Sequence, residues 1–122
     1  MNNEDMRTRS AEVDAMLSRI EASITGGDYG ACERAVESIT DQYLLETIAI
    51  YASHPITRFL AVKKLTNQAV LAICVKTDEE VNVRYAAVEK LTDQTILADF
   101  AKNTTDSSIR EIAAKRLLEL KV

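Results

Sequence analysis

Apolar residues recur every three or four positions along most of the chain, the spacing of an amphipathic helix. The clearest run extends from Val83 to Leu91, where Ala and Val alternate with charged residues. The same order of small, apolar and charged positions returns at one constant interval, before this run in 58–68 and after it in 110–117. A second helical pattern follows each complete copy. The chain is therefore predicted to consist of short helices in repeated pairs.

A fixed period in this range is typical of stacked helical arrays. We predict an all-α fold, a right-handed α-α superhelix or short solenoid of 26-residue helical-hairpin repeats. A chain of 122 residues fits a single domain. Its predicted parts are a flexible tail at 1–9, an N-terminal capping helix at 10–27, repeats at 28–55, 56–81 and 82–107, and a C-terminal half-repeat cap at 108–122.

Helix boundaries are indicated by capping residues. Ser10 is the expected N-cap of the first helix, which should end at Gly26-Gly27, and Asp28 should cap the second. Pro55 suits the first turn of a helix, where its missing N–H leaves no hydrogen bond unmade. The second helix of each repeat is expected to start with a threonine hydroxyl cap followed by Asp or Asn, in the pairs Thr40-Asp41, Thr66-Asn67 and Thr92-Asp93.

The predicted core follows from positions that stay apolar in every repeat. We call a set of equivalent positions, one from each repeat, a column. One column holds Ile or Leu throughout, and Leu91 is its central member. Cys32 and Cys74 are not separated by a whole number of repeats, so they fall in different columns. We expect two free, buried thiols in a reducing compartment.

Charge and composition narrow the classes of function. The formal charge of −4 argues against a dedicated binder of nucleic acid or anionic membranes. Residues 1–10 lack the apolar core of a signal peptide, and no run reaches the ~20 apolar residues of a membrane span. The expected location is cytoplasmic, without a membrane partner.

No set of residues with catalytic or metal-binding spacing is present in the sequence. His54 is the single histidine, and it precedes Pro55 at a predicted turn. Zinc-ligand spacings, phosphate-binding Gly-rich loops and Ser-His-Asp sets are all missing. We therefore expect no enzyme activity, no cofactor and no metal.

The run 83–91, preceded by Asp78-Glu79-Glu80 and matched by Asp106 to Arg110, resembles the acidic-turn, Val-Arg, Ala, Leu signature of HEAT-like repeats. The short unit resembles bacterial leucine-rich-variant and HEAT-like arrays more than the longer eukaryotic HEAT repeat. The resemblance covers residues 28–122, and segments 56–81 and 82–107 share ten identical positions. It implies a stacked helical array but no particular ligand.

The resemblance also implies that the Val-Arg helices line the concave side and that their arginines form a ladder with acidic turn residues. Carried over to this chain, the ladder consists of Arg58, Arg84 and Arg110, with acids such as Asp78, Glu80 and Asp106. An anion-binding column of arginines is the alternative. Cys32 occupies the arginine column in the first repeat, so the ladder is incomplete there.

The leading functional hypothesis is a non-catalytic module that binds a protein or peptide partner. The alternative is nucleic-acid binding through a local basic strip. The residues of that strip are Lys63, Lys64, Lys90, Lys115 and Arg116, although Glu37 and Glu89 alternate with Lys63 and Lys115. A third, enzymatic alternative comes from a similarity to HEAT-like bilin lyases and has no residue to support it.

Two faces are candidates for binding the partner. The first is expected to expose two aromatic rings among mixed charges on the Val-Arg helices: Phe59, Tyr85, Lys63, Glu89, Glu111 and Lys115. The alternative for this face is that both rings fold over aliphatic stems of their neighbours. The rival face lies on the second helices of the first two repeats and comprises Tyr43, Ile50, Tyr51 and Ile73. Leu118, Leu120 and Val122 leave two alternatives, a weak homodimer through the C-terminal end or the packing of part of this set on the third repeat.

Overall fold

The computed structural model describes residues 3–121, with side-chain environments from Ala11 onward. Over this range the chain is all-α, as predicted, and forms eight helices without a strand. The helices are α1 Asn3–Thr25, α2 Tyr29–Glu37, α3 Gln42–Tyr51, α4 Pro55–Val62, α5 Gln68–Thr77, α6 Val81–Lys90, α7 Gln94–Asn103 and α8 Ser107–Leu120.

The first helix is longer than the sequence indicated. It begins at Asn3, so the expected N-cap Ser10 lies inside α1, and only Met1 and Asn2 of the predicted tail lie outside the described residues. Its end agrees with the prediction, because Gly27 adopts a φ of 84° and its N–H donates to the Ile24 carbonyl at 2.9 Å. A residue in this left-handed region stops a helix, and Gly adopts it without a Cβ clash.

Aspartate and asparagine, not threonine, form the repeated N-caps. Asp41 Oδ1 accepts from the N–H groups of Tyr43 and Leu44, and Asp93 Oδ1 accepts from those of Thr95 and Ile96. Asn67 has the same role at α5. The predicted hydroxyl caps at Thr40, Thr66 and Thr92 are thus wrong by one residue. An Asp carboxylate accepts two N–H groups here and adds negative charge at the positive end of the helix dipole.

The chain divides into two compact units, Met1–Ala61 and Val62–Val122. In the first unit α1 packs against α2. Its buried residues come from every helix of the unit, and those with the least exposure are Cys32, Val36, Leu45, Ile48, Thr57 and Ala61.

In the second unit α5 packs against α6, α7 packs against α8, and α6 packs against α8. The pairs α5–α6 and α7–α8 each join the second helix of one predicted repeat to the first helix of the next. The fully buried side chains recur at the predicted spacing and include Leu65, Leu71, Val83, Val88, Leu91 and Leu97. Each such leucine contributes about 1.5–3 kcal/mol through burial.

The arginines at equivalent positions of the repeats donate hydrogen bonds to main-chain carbonyls at the C-terminal ends of helices. Arg84 Nη1 donates to the main-chain carbonyls of Asp78 and Glu79, at 2.8 and 3.0 Å. Arg58 and Arg110 make the equivalent bond to the carbonyls of Ala52 and Thr104, each at 2.8 Å. These carbonyls follow α3, α5 and α7. The acceptors of these bonds are main-chain oxygens, whereas the resemblance implied carboxylates.

Cys32 occupies the arginine position of the first repeat. The helix before it, α1, ends with main-chain hydrogen bonds and not with an arginine. The last carbonyls of α1 accept from the N–H groups of Gly27 and Asp28. A guanidinium is not needed to satisfy them, so a small buried side chain can occupy the arginine position.

A side-chain amide connects two successive turns of the second unit. Gln68 Oε1, at the start of α5, accepts from the N–H groups of Thr92 and Asp93 at 2.7 and 2.9 Å. Arg116 Nε in α8 donates to the Leu91 carbonyl at 3.1 Å on the same turn. The turn between α6 and α7 is therefore held from both neighbouring sequence repeats.

We expect Leu91→Ala to lower the free energy of unfolding by about 2–5 kcal/mol, because the fully buried side chain would leave a cavity. Chemical denaturation measures the change. Leu118→Ala is the matched control, since Leu118 is 69% exposed and its truncation should cost under ~0.5 kcal/mol. Equal losses for the two variants would contradict the assigned core.

We expect Arg84→Ala to lower the free energy of unfolding by about 1–3 kcal/mol, because two carbonyls at the end of α5 lose a charged donor. The control is Arg34→Ala, which removes an exposed arginine from α2. A melting temperature of the Arg84 variant at or above the wild-type value would show that the arginine is not structural.

Candidate functional site

The outward side of α3 exposes three large apolar side chains. Its inward face buries Leu45, Ile48 and Ala49, while Tyr51, Tyr43 and Ile50 are 73%, 57% and 38% exposed. At 100° per residue, positions 43, 47, 50 and 51 share one side of the helix. We call this surface the α3 face, defined by Tyr43, Thr47, Ile50 and Tyr51.

Thr47 adds little free polarity to the α3 face. Its hydroxyl donates to the Tyr43 carbonyl at 3.0 Å, within the helix. The helix therefore carries apolar residues on both its buried and its exposed sides. A surface helix normally has a polar outer side, so the exposed apolar side of α3 is a candidate for a binding surface.

The equivalent positions keep part of this apolar character in α5 and lose it in α7. In α5 they are Ala69, Ile73, Lys76 and Thr77, and in α7 they are Thr95, Asp99, Lys102 and Asn103. All four residues of α7 are exposed. Aromatic residues at these positions are consequently not required by the repeated packing, because α7 keeps its buried side without them.

Carboxylates border the α3 face. Glu46 lies on α3 between Tyr43 and Ile50 and is half-buried, and Asp41 caps the start of the helix. Beyond the other end, Glu21 Oε1 accepts from the N–H groups of Ser53 and His54 at 2.6 and 3.2 Å. No pattern in the sequence indicated this contact of Glu21, because it joins positions on two helical segments that are far apart along the chain.

The two aromatic rings of the first predicted face are less exposed than expected. Phe59 and Tyr85 are both half-buried, while their charged companions Lys63, Glu89, Glu111 and Lys115 are exposed. Phe59 belongs to the first unit and the other five residues to the second. An apolar ring that lies along the protein surface removes more of its area from water than one that projects outward.

The rival face is exposed at all four predicted positions. Tyr43, Ile50 and Tyr51 lie together on α3, and Ile73 on α5 in the second unit is 44% exposed. Leu118 near the C-terminus is also exposed, whereas Leu120 is half-buried and Val122 lies outside the described residues.

An open polar groove of about 530 Å³ occupies the second unit, where α5 and α7 end and α8 begins. Its acidic side chains already serve local structure: Asp78 Oδ1 accepts from the Glu80 N–H, and Asp106 Oδ1 accepts from those of Ser108 and Ile109. Asp99 accepts from the Asn103 amide at 2.7 Å. The groove therefore consists mainly of turn and capping groups.

A buried thiol and hydroxyl meet in the first unit. Cys32 Sγ lies 3.7 Å from Thr57 Oγ1, and neither residue is exposed. Burial raises the pKa of the Cys32 thiol, the Thr57 hydrogen bond opposes this shift, and the negative charges of Glu21 and Glu33 add to it. The thiol is a structural hydrophobe with low reactivity.

The pKa of the Cys32 thiol is higher in the folded protein than in the unfolded chain, so the protonated thiol stabilises the fold. This stabilisation is complete below the unfolded thiol pKa of about 8.5 and is lost as the pH rises through the folded pKa. We expect the free energy of unfolding to fall more steeply between about pH 8 and 10 in the wild type than in Cys32→Ala. Identical slopes in the wild type and in Cys32→Ala would contradict this coupling.

Among residues 3–121, no helix is long and apolar enough to cross a membrane. The same part of the chain contains no group of three His, Cys, Asp or Glu residues that could hold a metal ion. No protein-family model, curated protein or solved structure matches the chain. The assignment of the α3 face therefore depends on its own geometry and charge.

Proposed function

We propose that this protein is a non-catalytic interaction module, a short HEAT-like α-solenoid that binds a protein or peptide partner on the α3 face. The observation that carries the proposal is the exposure of Tyr43, Ile50 and Tyr51 at positions where α7 has polar residues. Retaining exposed apolar side chains opposes solubility, so their presence favours a binding role.

The repeated local contacts support a solenoid scaffold. Side-chain N-caps recur at Asp41, Asn67 and Asp93, and arginine-to-carbonyl bonds recur at Arg58, Arg84 and Arg110. Similar turns at a constant interval favour a regular stack of helices, for which we propose the right-handed superhelical form. In such a scaffold, outward positions vary without altering the core.

The side chains of the α3 face suit a protein partner. Tyrosine offers a large apolar ring with a polar hydroxyl and loses few rotamers on binding, and it is enriched among the residues that dominate interface energies. Tyr43 and Tyr51 flank Ile50 along two turns of α3. Their arrangement resembles the apolar centre of an interface, with Glu46 and Asp41 at its polar rim.

We expect the double change Tyr43→Thr with Tyr51→Asn to weaken partner binding by about 2 kcal/mol, or roughly 30-fold, because it removes both aromatic rings. The new residues are those of α7 at the same positions, so folding should be nearly unaltered. Peptides selected from a random displayed library on the wild-type protein provide the ligands, and fluorescence anisotropy gives their Kd for both proteins.

The matched comparison is Phe59→Ala with Tyr85→Ala, which truncates the rings of the other predicted face. The selected peptides should keep their affinity for this variant. If they lose it there and bind the α3 variant normally, the partner site lies on the Val-Arg helices and the proposal is wrong.

A further inference from the structure

Charge is distributed unevenly between the two compact units. Residues 1–61 contain ten Asp and Glu residues against five arginines and no lysine, a net charge of −5. Residues 62–122 contain nine acidic and ten basic residues, a net charge of +1, and hold all seven lysines of the chain. The α3 face therefore belongs to the strongly acidic unit.

The acidic character extends to the edge of the α3 face itself. Glu46 lies between Tyr43 and Ile50 on the same helix, and Asp41 lies at its first turn. Glu21 contributes a third carboxylate beyond the last turn, against the N–H groups that follow Tyr51 by two and three residues.

The cation nearest in sequence to α3 lies at the turn after this helix. Arg58 Nη1 donates to the carbonyls of Ala52 and Ser53 at 2.8 and 3.1 Å, and Glu21 Oε1 accepts from the Ser53 N–H at the same turn. The charges of Arg58 and Glu21 therefore offset each other there. Glu46, half-buried beside the apolar centre, is the carboxylate on the face itself.

The dimensions of the face match a helical ligand. Positions 43–51 span about 12 Å at 1.5 Å per residue, which is two turns of helix. A partner helix with apolar residues at i, i+3, i+4 and i+7 presents a stripe of similar length. When two helices pack, the side chains of one fit into the grooves between the side-chain ridges of the other. A partner helix that packs on α3 would therefore bury Tyr43 and Tyr51 in its grooves.

We propose that the α3 face binds a basic amphipathic helix, in which an apolar stripe covers Tyr43, Ile50 and Tyr51 while flanking Lys or Arg residues face Glu46 and the net negative charge of the first unit. This inference rests on the proposed function and adds the chemistry of the partner. The carboxylates select the sign of the ligand charge, and the apolar centre supplies most of the affinity.

Three synthetic helical peptides test the proposal. The first carries a Leu and Phe stripe flanked by Lys and Arg, the second has the same stripe flanked by Glu, and the third keeps the basic residues but replaces the stripe with Gln and Ser. Fluorescence anisotropy with the full chain at about 50 mM salt should show the first peptide binding at least ~10-fold more tightly than either other peptide. Its advantage over the acidic peptide should shrink at about 500 mM salt, where charges are screened.

Glu46→Gln tests the charge at the face directly. It should weaken binding of the basic amphipathic peptide about 2–5-fold and reduce its salt dependence, in the range expected for one surface charge pair. Glu89→Gln is the matched control, because it removes an exposed glutamate of α6 in the other unit. Both variants should retain the wild-type melting temperature.

The outcomes separate this inference from the function on which it rests. If basic and acidic amphipathic peptides bind alike and both lose affinity in the Tyr43→Thr, Tyr51→Asn variant, the α3 face is a binding site and the charge inference is wrong. If the basic peptide binds that variant as tightly as the wild type, the inference and the proposed site both fail. Failure of the basic peptide to bind at about 1 mM and low salt also overturns the inference.

Discussion

The ends of short helices impose the constraint on which the rest of this structure depends. A helix of eight to ten residues leaves four N–H and four C=O groups without helical partners, nearly as many as it satisfies. Asp41, Asn67 and Asp93 meet the need at the start of α3, α5 and α7, and arginines meet it at their ends. Because the same groups must be satisfied at every turn, the same side chains recur once in each repeat.

Because capping residues and buried residues hold the helices, the outward positions can vary. Caps and buried columns hold the helices, so the outer side of α3 can be aromatic while that of α7 is polar. The buried sides of the two helices remain alike, with Leu45 and Leu97 both fully buried. Functional variation is consequently expected where neither capping nor packing constrains the residue.

The first unit departs most from the repeated pattern. Gly27 closes α1 without an arginine, Cys32 takes the arginine position and packs near Thr57, and Glu21 reaches across to the turn after α3. The same unit carries the exposed tyrosines and all of the excess negative charge. Structural and chemical deviations from the repeat thus coincide with the proposed binding face.

Periodicity in the sequence was sufficient to predict the helical class, the approximate number of helices and the buried columns that contain Leu65 and Leu91. It succeeds because a 3.6-residue spacing records which side of each helix avoids water. The exposed set Tyr43, Ile50, Tyr51 and Ile73 was also identifiable, as the apolar positions left over once the core columns were assigned.

Other features were decided only by the tertiary structure. Which polar group caps a helix depends on backbone angles at that turn, so the N-caps were expected one residue too early, and the carbonyl targets of the arginines were not foreseen. The half-burial of Phe59 and Tyr85 depends on how large side chains settle on their neighbours. The contacts of Gln68 with Thr92 and of Cys32 with Thr57 join residues about one repeat apart, and a linear pattern contains no distances between such positions.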